Sequence, residues 1–306
     1  MNSIVAKDLK KMFGKTPAVD NVSFAVKKGE IFGFLGPNGA GKTTTIRMLT
    51  GVISPDSGMV EIEGISLREN MAEAKMKFGV IPEIGNVYVD LTAKQNLYLT
   101  GKFYGLKGKF IEEKAEKLLR ALNLYERRDY PARTFSKGMK QRLSIACAIM
   151  HDPDILFLDE PTEGLDVQSK RMVVSIINEL KSKGSTIFLT THNIEEANRL
   201  CETVCIINRG KIAAIGRPET LKKTFDDTQS IEISFRENVP SEMLEFDGIS
   251  SVDLVGDKYK LYTSDPDMAV KKLASFAENH SYRISSLEIC GPSLEEAFVI
   301  LTGDSR

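Results

Sequence analysis

The stretch EIFGFLGPNGAGKTTTIRMLTG, residues 30–51, decides the fold of this chain. Its first part is nearly all apolar and predicts a buried strand, its middle is a Gly-rich loop, and its last part predicts a helix that stops at Gly51. A buried strand that runs through a loop into a helix is the opening unit of an α/β domain. We therefore expect a sheet covered by helices, with this loop at its edge.

The loop itself predicts a phosphate site. Its spacing, GxxxxGK[ST] between a strand and a helix, lets backbone N–H groups surround phosphate oxygens at the positive end of the helix dipole. A Gly-rich turn that only begins a helix is the alternative, and the spacing disfavours it. Lys42 is expected on the β- and γ-phosphates of a nucleoside triphosphate, and Thr43 on Mg²⁺. The predicted nucleotide-binding residues are Gly36, Pro37, Asn38, Gly39, Ala40, Gly41, Lys42, Thr43 and Thr44.

Two adjacent carboxylates end a second apolar segment, ILFLDE, residues 155–160. Ionised acids rarely follow a buried segment unless a partner or a reaction uses them. Ligands of parallel sheets lie at the carboxyl ends of the strands, so these acids are expected beside the phosphate loop. Asp159 would then hold Mg²⁺, and Glu160 would polarise an attacking water. A pair of surface acids at a strand end is the alternative.

The bulk composition limits the class of protein. The chain has 306 residues, of which 42% are hydrophobic, enough for a real core in one or two domains. Its formal net charge is −1 without a long Lys/Arg block, so nucleic acid is not an expected partner. Four scattered cysteines fit a reducing cytoplasm, and no apolar run approaches the roughly 20 residues of a membrane span. We expect a soluble chain whose membrane partner, if it has one, supplies the span.

Periodicity divides the chain into two parts. Strand and helix patterns alternate up to about residue 220, with a mainly helical insert at about 90–150. The two strands around the helix SKRMVVSIINELKSKG form a βαβ pattern, which predicts parallel, buried strands. A terminal hairpin should turn at Arg209–Gly210. We predict a nucleotide-binding domain over 1–220 and a small α+β accessory domain over 225–306.

Five motifs in order resemble those of a known family. They are GPNGAGKTT (36–44), FSKGM (135–139), ILFLDE (155–160), EGLD (163–166) and a strand that ends at His192. They resemble the Walker A, signature, Walker B, D-loop and H-loop motifs of the ATP-binding cassette (ABC) ATPases, over residues 1 to about 217. The variant SKGMKQRL and the ending PSLEEAFVILTG look more narrowly like ATP-binding subunits of bacterial ABC-2-type exporters. The resemblance implies a P-loop NTPase fold with a mixed sheet core, an antiparallel edge subdomain and a helical insert.

The resemblance also implies roles for residues outside the loop. Ser136 and Gly138 begin a helix, which by itself indicates an anion site or an ordinary Ser cap; the family places them on the γ-phosphate held by a second cassette. His192 would contact the γ-phosphate and orient the attacking water, although a lone His is more often structural. Asp166 would bridge the dimer. Phe13 would stack on adenine, or else belong to the core.

The chain departs from the family pattern after the strand FGVI and within the signature. Glu83 stands where the family has a Gln after the strand FGVI. Its carboxylate can ligate Mg²⁺ or a water, but it adds negative charge and lacks the amide donor. Lys137 and Met139 replace a Gly and the Gln of the usual LSGGQ signature.

The implied function is the ATP-hydrolysing motor of an export transporter. ATP with Mg²⁺ would close a cassette dimer, hydrolysis would reopen it, and a separate membrane permease would receive the movement. The second cassette is expected to be another copy, and the chain to lie in the cytoplasm, peripheral on the inner face of the cell membrane. The other function considered is an ABC ATPase that remodels a soluble machine such as the ribosome. Relatives of that kind usually carry two cassettes, whereas this chain carries one.

Overall fold

The computed structural model describes residues 1–83, 85–223, 229–291 and 293–302. It separates into two compact units, Met1–Arg217 and Pro218–Arg306. The predicted domain boundary falls at 220–225, and because residues 224–228 lie outside the described part, the predicted bounds stay a prediction. Every helix among the described residues is too short or too polar to cross a bilayer.

The described part of the first unit alternates strands and helices along the chain. Its strands are β1 (Asn2–Phe13), β2 (Thr16–Lys27), β3 (Ile31–Leu35), β4 (Ser57–Ile62), β5 (Ile65–Ser66), β6 (Phe78–Ile81), β7 (Ile155–Asp159), β8 (Thr186–Thr191), β9 (Thr203–Asn208) and β10 (Lys211–Gly216). Its helices are α1 (Lys42–Leu49), α2 (Met71–Lys75), α3 (Ala93–Phe103), α4 (Gly108–Ala121), α5 (Lys137–Ala148), α6 (Val167–Ser182) and α7 (Ile194–Leu200).

The core of this unit is a six-stranded sheet in the order β10-β9-β3-β8-β7-β6. β3, β7 and β8 pair in parallel, and all their residues are buried. Parallel sheets are covered on both faces, which explains why most residues of these strands are apolar, as the sequence predicted. β9 and β10 form an antiparallel hairpin whose turn residues, Arg209 and Gly210, have positive φ, which confirms the predicted turn.

A second, antiparallel sheet has the order β2-β1-β4-β5. Phe24 of this sheet lies in a layer of aromatic rings, 5.4 Å from Phe32 of β3 and 5.7 Å from Phe188 of β8 between ring centroids. The sequence pattern did not indicate β1. Its alternation is interrupted because Asp8 has a φ of 51° and the pairing with β2 changes register between Ala6 and Leu9.

The predicted helical insert consists of α3, α4 and α5 with short 3₁₀ turns at Tyr125–Arg127 and Ala132–Thr134. α3 begins with a capping box, in which Thr92 and Gln95 each accept the backbone N–H of the other. At the other end, α5 meets β6 closely: a Cβ on Gly79 would lie 2.2 Å from the carbonyl oxygen of Ala148. This approach requires glycine and anchors the insert to the core sheet.

The second unit is an α+β arrangement, in keeping with the strand and helix patterns of the sequence. Its described elements are α8 (Pro218–Lys223), β11 (Gln229–Phe235), β12 (Ser251–Val255), β13 (Lys258–Thr263), α9 (Pro266–Asn279), β14 (Ile284–Cys290) and α10 (Leu294–Thr302), with a 3₁₀ turn at Ser241–Leu244. The strands form an antiparallel sheet in the order β12-β13-β11-β14. Ile231, Ile233 and Leu261 of the sheet form its core with Leu273 of α9.

Candidate active site

The Gly-rich loop leaves the end of β3 and enters α1, as predicted. Lys42 is the first residue of α1 and is buried. Its Nζ donates to the carbonyl oxygens of Gly36 at 2.8 Å and Pro37 at 3.2 Å. Gly36 leaves no room for a side chain, because a Cβ there would lie 2.5 Å from the carbonyl oxygen of Ile207. The loop therefore curls around the Lys42 ammonium with little freedom to shift.

A cavity of about 310 Å³ opens over this loop. The predicted loop residues that line it are Asn38, Gly39, Gly41, Lys42, Thr43 and Thr44, and the other lining residues are Ala18, Glu83, Glu160, Glu163 and His192. Among these residues, three carboxylates face a single ammonium group. The cavity therefore favours a cation, or an anion that arrives together with one. Gly36, Pro37 and Ala40 are not among its lining residues.

Asp159 is buried at the end of β7. Thr190 Oγ1 donates to its Oδ1 at 2.5 Å, and the Thr43 side chain forms a second hydrogen bond with it. Burial raises the pKa of Asp159, while the hydrogen bonds with Thr190 and Thr43 oppose that rise. The structure thus brings together the Asp159 carboxylate and the Thr43 hydroxyl, two of the predicted oxygen ligands of Mg²⁺.

Glu160 turns from the end of β7 towards the loop. Its φ of 48° is uncommon for a residue other than glycine. Its Oε1 lies 3.2 Å from Lys42 Nζ. Its Oε2 accepts the backbone N–H of His192 at 3.3 Å and lies 3.0 Å from the Nδ1 of that ring. Lys42, Glu160 and His192, which are far apart in sequence, therefore meet in one place.

Glu163 is a site residue that the sequence reasoning missed. Its Oε2 lies 3.4 Å from His192 Nε2, on the ring nitrogen that does not face Glu160. The backbone N–H of Glu163 donates to the carbonyl of Glu160 at 3.1 Å and so closes a tight turn. The sequence did contain a signal for this contact. Pro161, directly after Glu160, favours a β-turn, and such a turn brings Glu163 back beside Glu160.

The signature residues are not among those that line the cavity. Ser136 caps α5, and its Oγ accepts the N–H of Met139 at 3.2 Å, so within one chain the capped-helix interpretation holds. Asp166 caps α6 by accepting the N–H and the hydroxyl of Ser169, both at 2.8 Å. A Cβ on Gly138 would lie 2.2 Å from that same hydroxyl. The signature therefore contacts the D-loop region of its own chain, and its role in a nucleotide site stays a prediction.

Two further predicted residues have different surroundings. Glu83 lines the cavity, although the residue after it lies outside the described part. Phe13 ends β1 with 57% of its surface exposed and is not among the lining residues. The core alternative for Phe13 is therefore wrong, and its stacking on adenine stays a prediction.

Comparisons with known proteins agree with this geometry. A family model described as "ABC transporter" matches residues 19–163. The Nod factor export ATP-binding protein I of Ralstonia nicotianae is 36% identical over 296 residues, which cover 96% of this chain and 92% of that protein. The linearmycin resistance ATP-binding protein LnrL of Bacillus subtilis is 35% identical over 303 residues, 97% of each chain. A solved structure described as "Structure of ATP binding subunit of ABC transporter" matches with a TM-score of 0.67 and 34% identity, over 72% of this chain and 92% of that one.

Proposed function

This chain belongs to the ABC transporter family as one of its ATP-binding proteins, and we propose that it is the ATP-hydrolysing motor of an export transporter. Family membership confirms the predicted cassette fold and the predicted ATPase activity. The observation that carries the mechanism is the meeting of Lys42, Glu160 and His192 at one cavity. Export is supported by two relatives that match almost the whole chain, one named for Nod factor export and one for linearmycin resistance.

The three residues have separate tasks in hydrolysis. Lys42 offers the positive charge that binds the β- and γ-phosphates, in exchange for its present contacts with loop carbonyls. Glu160 orients and polarises the attacking water through its carboxylate. His192 donates towards the γ-phosphate and keeps Glu160 in place through the contact at Nδ1.

The residues beside the loop fit Mg²⁺. Asp159, Thr43 and Glu83 provide oxygen donors only, which is the set that Mg²⁺ prefers. The raised pKa of buried Asp159 indicates that its charge is poorly stabilised by the protein alone, so a cation beside it would be favourable. Bound Mg²⁺ supplies positive charge that neutralises the phosphate oxygens. In this proposal Asp159 and Thr43 would hold the ion, and Glu83 would contribute a further carboxylate.

The proposed transporter also requires a second cassette and a membrane permease. We propose that a second cassette, another copy of this chain, contributes its Ser136 and Gly138 to the nucleotide held by the first, with Asp166 at the dimer interface. A membrane permease would bind the pair, so the chain would be cytoplasmic and peripheral on the inner face of the cell membrane. Residues 1–220 would form the motor and residues 225–306 an accessory domain that regulates it or stabilises the dimer.

The catalytic assignment is tested by ATP hydrolysis. Purified wild-type chain should hydrolyse ATP in the presence of Mg²⁺, and Glu160→Gln should lose at least about a hundredfold in rate while it still binds ATP. Glu179→Gln, on an exposed position of α6, is the matched control and should keep the wild-type rate. Activity that survives in Glu160→Gln would remove the role assigned to that carboxylate.

The partners are tested by two separate measurements. With Mg²⁺ and ATP, Glu160→Gln should form a dimer in size-exclusion light scattering, and adding Ser136→Arg should abolish it. A tagged chain recovered from gently solubilised membranes should carry a polytopic membrane protein in stoichiometric amount. Recovery of ribosomal or other soluble machinery, without a membrane protein, would instead support the remodelling function.

A further inference from the structure

The cavity contains a cluster that the proposed hydrolysis does not fully use. Glu160, Glu163 and His192 each present one ligand atom, and these atoms lie within 4.8 Å of one another. We propose that this cluster binds a divalent first-row transition metal ion such as Zn²⁺, at a site distinct from the one proposed for Mg²⁺. The ion would occupy the two groups that act on the γ-phosphate and so inhibit the ATPase.

Hydrogen bonding explains only part of the cluster. The contact between His192 Nδ1 and Glu160 Oε2, at 3.0 Å, has an ordinary hydrogen-bond length. The contact between His192 Nε2 and Glu163 Oε2, at 3.4 Å, is longer than such a bond normally is. The two carboxylates therefore lie around the imidazole without both being bonded to it.

A second observation concerns the unused oxygen of Glu160. The side chain of Glu160 is only 9% exposed, and its Oε1 is buried without accepting a hydrogen bond. Lys42 forms an ion pair with this oxygen at 3.2 Å, while its ammonium also donates to the carbonyls of Gly36 and Pro37. The buried carboxylate thus faces a cation but accepts no hydrogen bond at Oε1, and a coordinated metal ion would stabilise its charge further.

The donor set selects the class of metal ion. One imidazole nitrogen with two carboxylate oxygens suits Zn²⁺ and its first-row neighbours, whereas Mg²⁺ prefers oxygen donors. Glu160 faces Nδ1 of His192 and Glu163 faces Nε2, so metal–ligand distances of about 2.0–2.2 Å require the ring or the Glu163 side chain to turn until one nitrogen faces both carboxylates. Glu163 and His192 can make this adjustment, because their side chains are 48% and 41% exposed. The same exposure gives the ion a path from solvent.

The negative charge of the cavity supports a cation at this position. The carboxylates of Glu83, Glu160 and Glu163 line it together with one ammonium group, that of Lys42. In the nucleotide-free chain, a divalent ion between Glu160 and Glu163 would reduce their mutual repulsion. Inhibition of hydrolysis rests on the proposed function, whereas metal binding to the free chain does not.

Isothermal titration of the full, tag-free and nucleotide-free chain with Zn²⁺ tests the site directly. Wild-type chain should bind one ion at this site, and both Glu163→Gln and His192→Ala should weaken binding at least about tenfold. Glu179→Gln makes the same chemical change on an exposed surface outside the cavity and should bind as wild type does. Circular dichroism should show that all variants are folded.

Competing sources of binding are separated by spectroscopy and by a cysteine variant. Visible spectra with Co²⁺ should show nitrogen and oxygen ligation without thiolate charge transfer, and Cys290→Ser, which changes a partly exposed thiol, should leave Zn²⁺ affinity unchanged. The proposal is overturned if wild-type chain takes up no Zn²⁺, if Glu163→Gln binds it equally well, or if thiolate bands appear. ATP hydrolysis with Mg²⁺ alone is measured in parallel, so failure of the proposed function is recognised independently of the metal result.

Discussion

Replacing Gly138 by alanine should destabilise the contact between α5, which begins in the signature motif, and α6. A Cβ at this position would lie 2.2 Å from Ser169 Oγ and 2.7 Å from Ser169 Cβ. The hydroxyl can rotate away if it gives up its bond to Asp166, but the Cβ can move only with the backbone of α6. Alanine at position 138 must therefore push two helices apart.

The expected free-energy change combines three terms. Overpacking of a close contact costs about 1–3 kcal/mol. Loss of the Ser169–Asp166 hydrogen bond adds about 0.5–1.5 kcal/mol. Alanine in a helix regains about 0.5–1 kcal/mol relative to glycine. The free energy of unfolding of the Gly138→Ala variant should therefore be about 0.5–4 kcal/mol below that of the wild type.

Substitutions at Ser169 give a graded rescue. Ser169→Ala removes the hydroxyl but keeps the Cβ at 2.7 Å, so it should rescue Gly138→Ala only in part. Ser169→Gly removes both atoms. The Gly138→Ala/Ser169→Gly double variant should therefore be as stable as the Ser169→Gly single variant. Urea unfolding of the wild type, the three single variants and the two double variants measures this coupling in mutant cycles, and it should reach about 1–2 kcal/mol.

Two results would refute the steric reasoning. These are a Gly138→Ala variant that unfolds like the wild type, and a Ser169→Gly substitution that does not restore the stability of Gly138→Ala. ATPase rates of the same variants test separately whether Gly138 has a role in catalysis. A double variant that regains stability but not activity would show that Gly138 also acts in the nucleotide site of the proposed dimer.

Three further perturbations test the phosphate loop, the buried acid Asp159 and the partly buried His151. Gly36→Ala places a Cβ 2.5 Å from the carbonyl oxygen of Ile207, so titration with a fluorescent ATP analogue should show an affinity at least about tenfold lower. An unchanged affinity would show that the loop has room for a side chain at position 36. Thr190→Val removes the hydroxyl that donates to Asp159, so the pKa of Asp159 should rise further and the unfolding free energy should fall by about 1–3 kcal/mol. ATP hydrolysis by this variant should also need a higher Mg²⁺ concentration. A Mg²⁺ titration identical to that of the wild type would count against Asp159 as a ligand. Burial lowers the pKa of His151 from 6.5 to about 4, so the folded chain keeps this ring neutral while the unfolded chain protonates it. The contribution of neutral His151 to the free energy of unfolding is fully present above pH 6.5 and is lost as the pH falls towards about 4. The loss should be about 1–2 kcal/mol once solvent screening is allowed for. Urea unfolding at about pH 7.5 and about pH 5 should show a smaller loss in His151→Gln, and equal losses would exclude this source.

The nucleotide loop and the acidic strand end could be predicted from sequence because their determinants are local. The loop from Gly36 to Thr43 lies between a strand and a helix within one short stretch, so spacing alone indicates its contacts. The position of Glu160 beside it followed from a general rule, since parallel strands end on the same edge of a sheet. The 3.2 Å contact between Lys42 and Glu160 agrees with that expectation.

β1 shows where local patterns failed. Its positive φ at Asp8 and its register changes against β2 break the alternation by which a strand is recognised. The helices of the insert had no such interruption, and their 3.6-residue periodicity was sufficient.

The partners of the site residues were decided by the tertiary structure. Asp159 meets Thr190 because β7 and β8 pair in a register that aligns these two residues, and no local pattern specifies that register. Glu163 reaches His192 because Glu160 adopts a positive φ and the chain turns back. Gly138 abuts Ser169 because two helices that are separate in sequence approach closely. The sequence by itself determined which chemical groups stand at the strand ends and in the loop, through short-range spacing. Only the packed structure decided which groups face one another, because side-chain contacts depend on strand register, backbone turns and helix packing between distant segments.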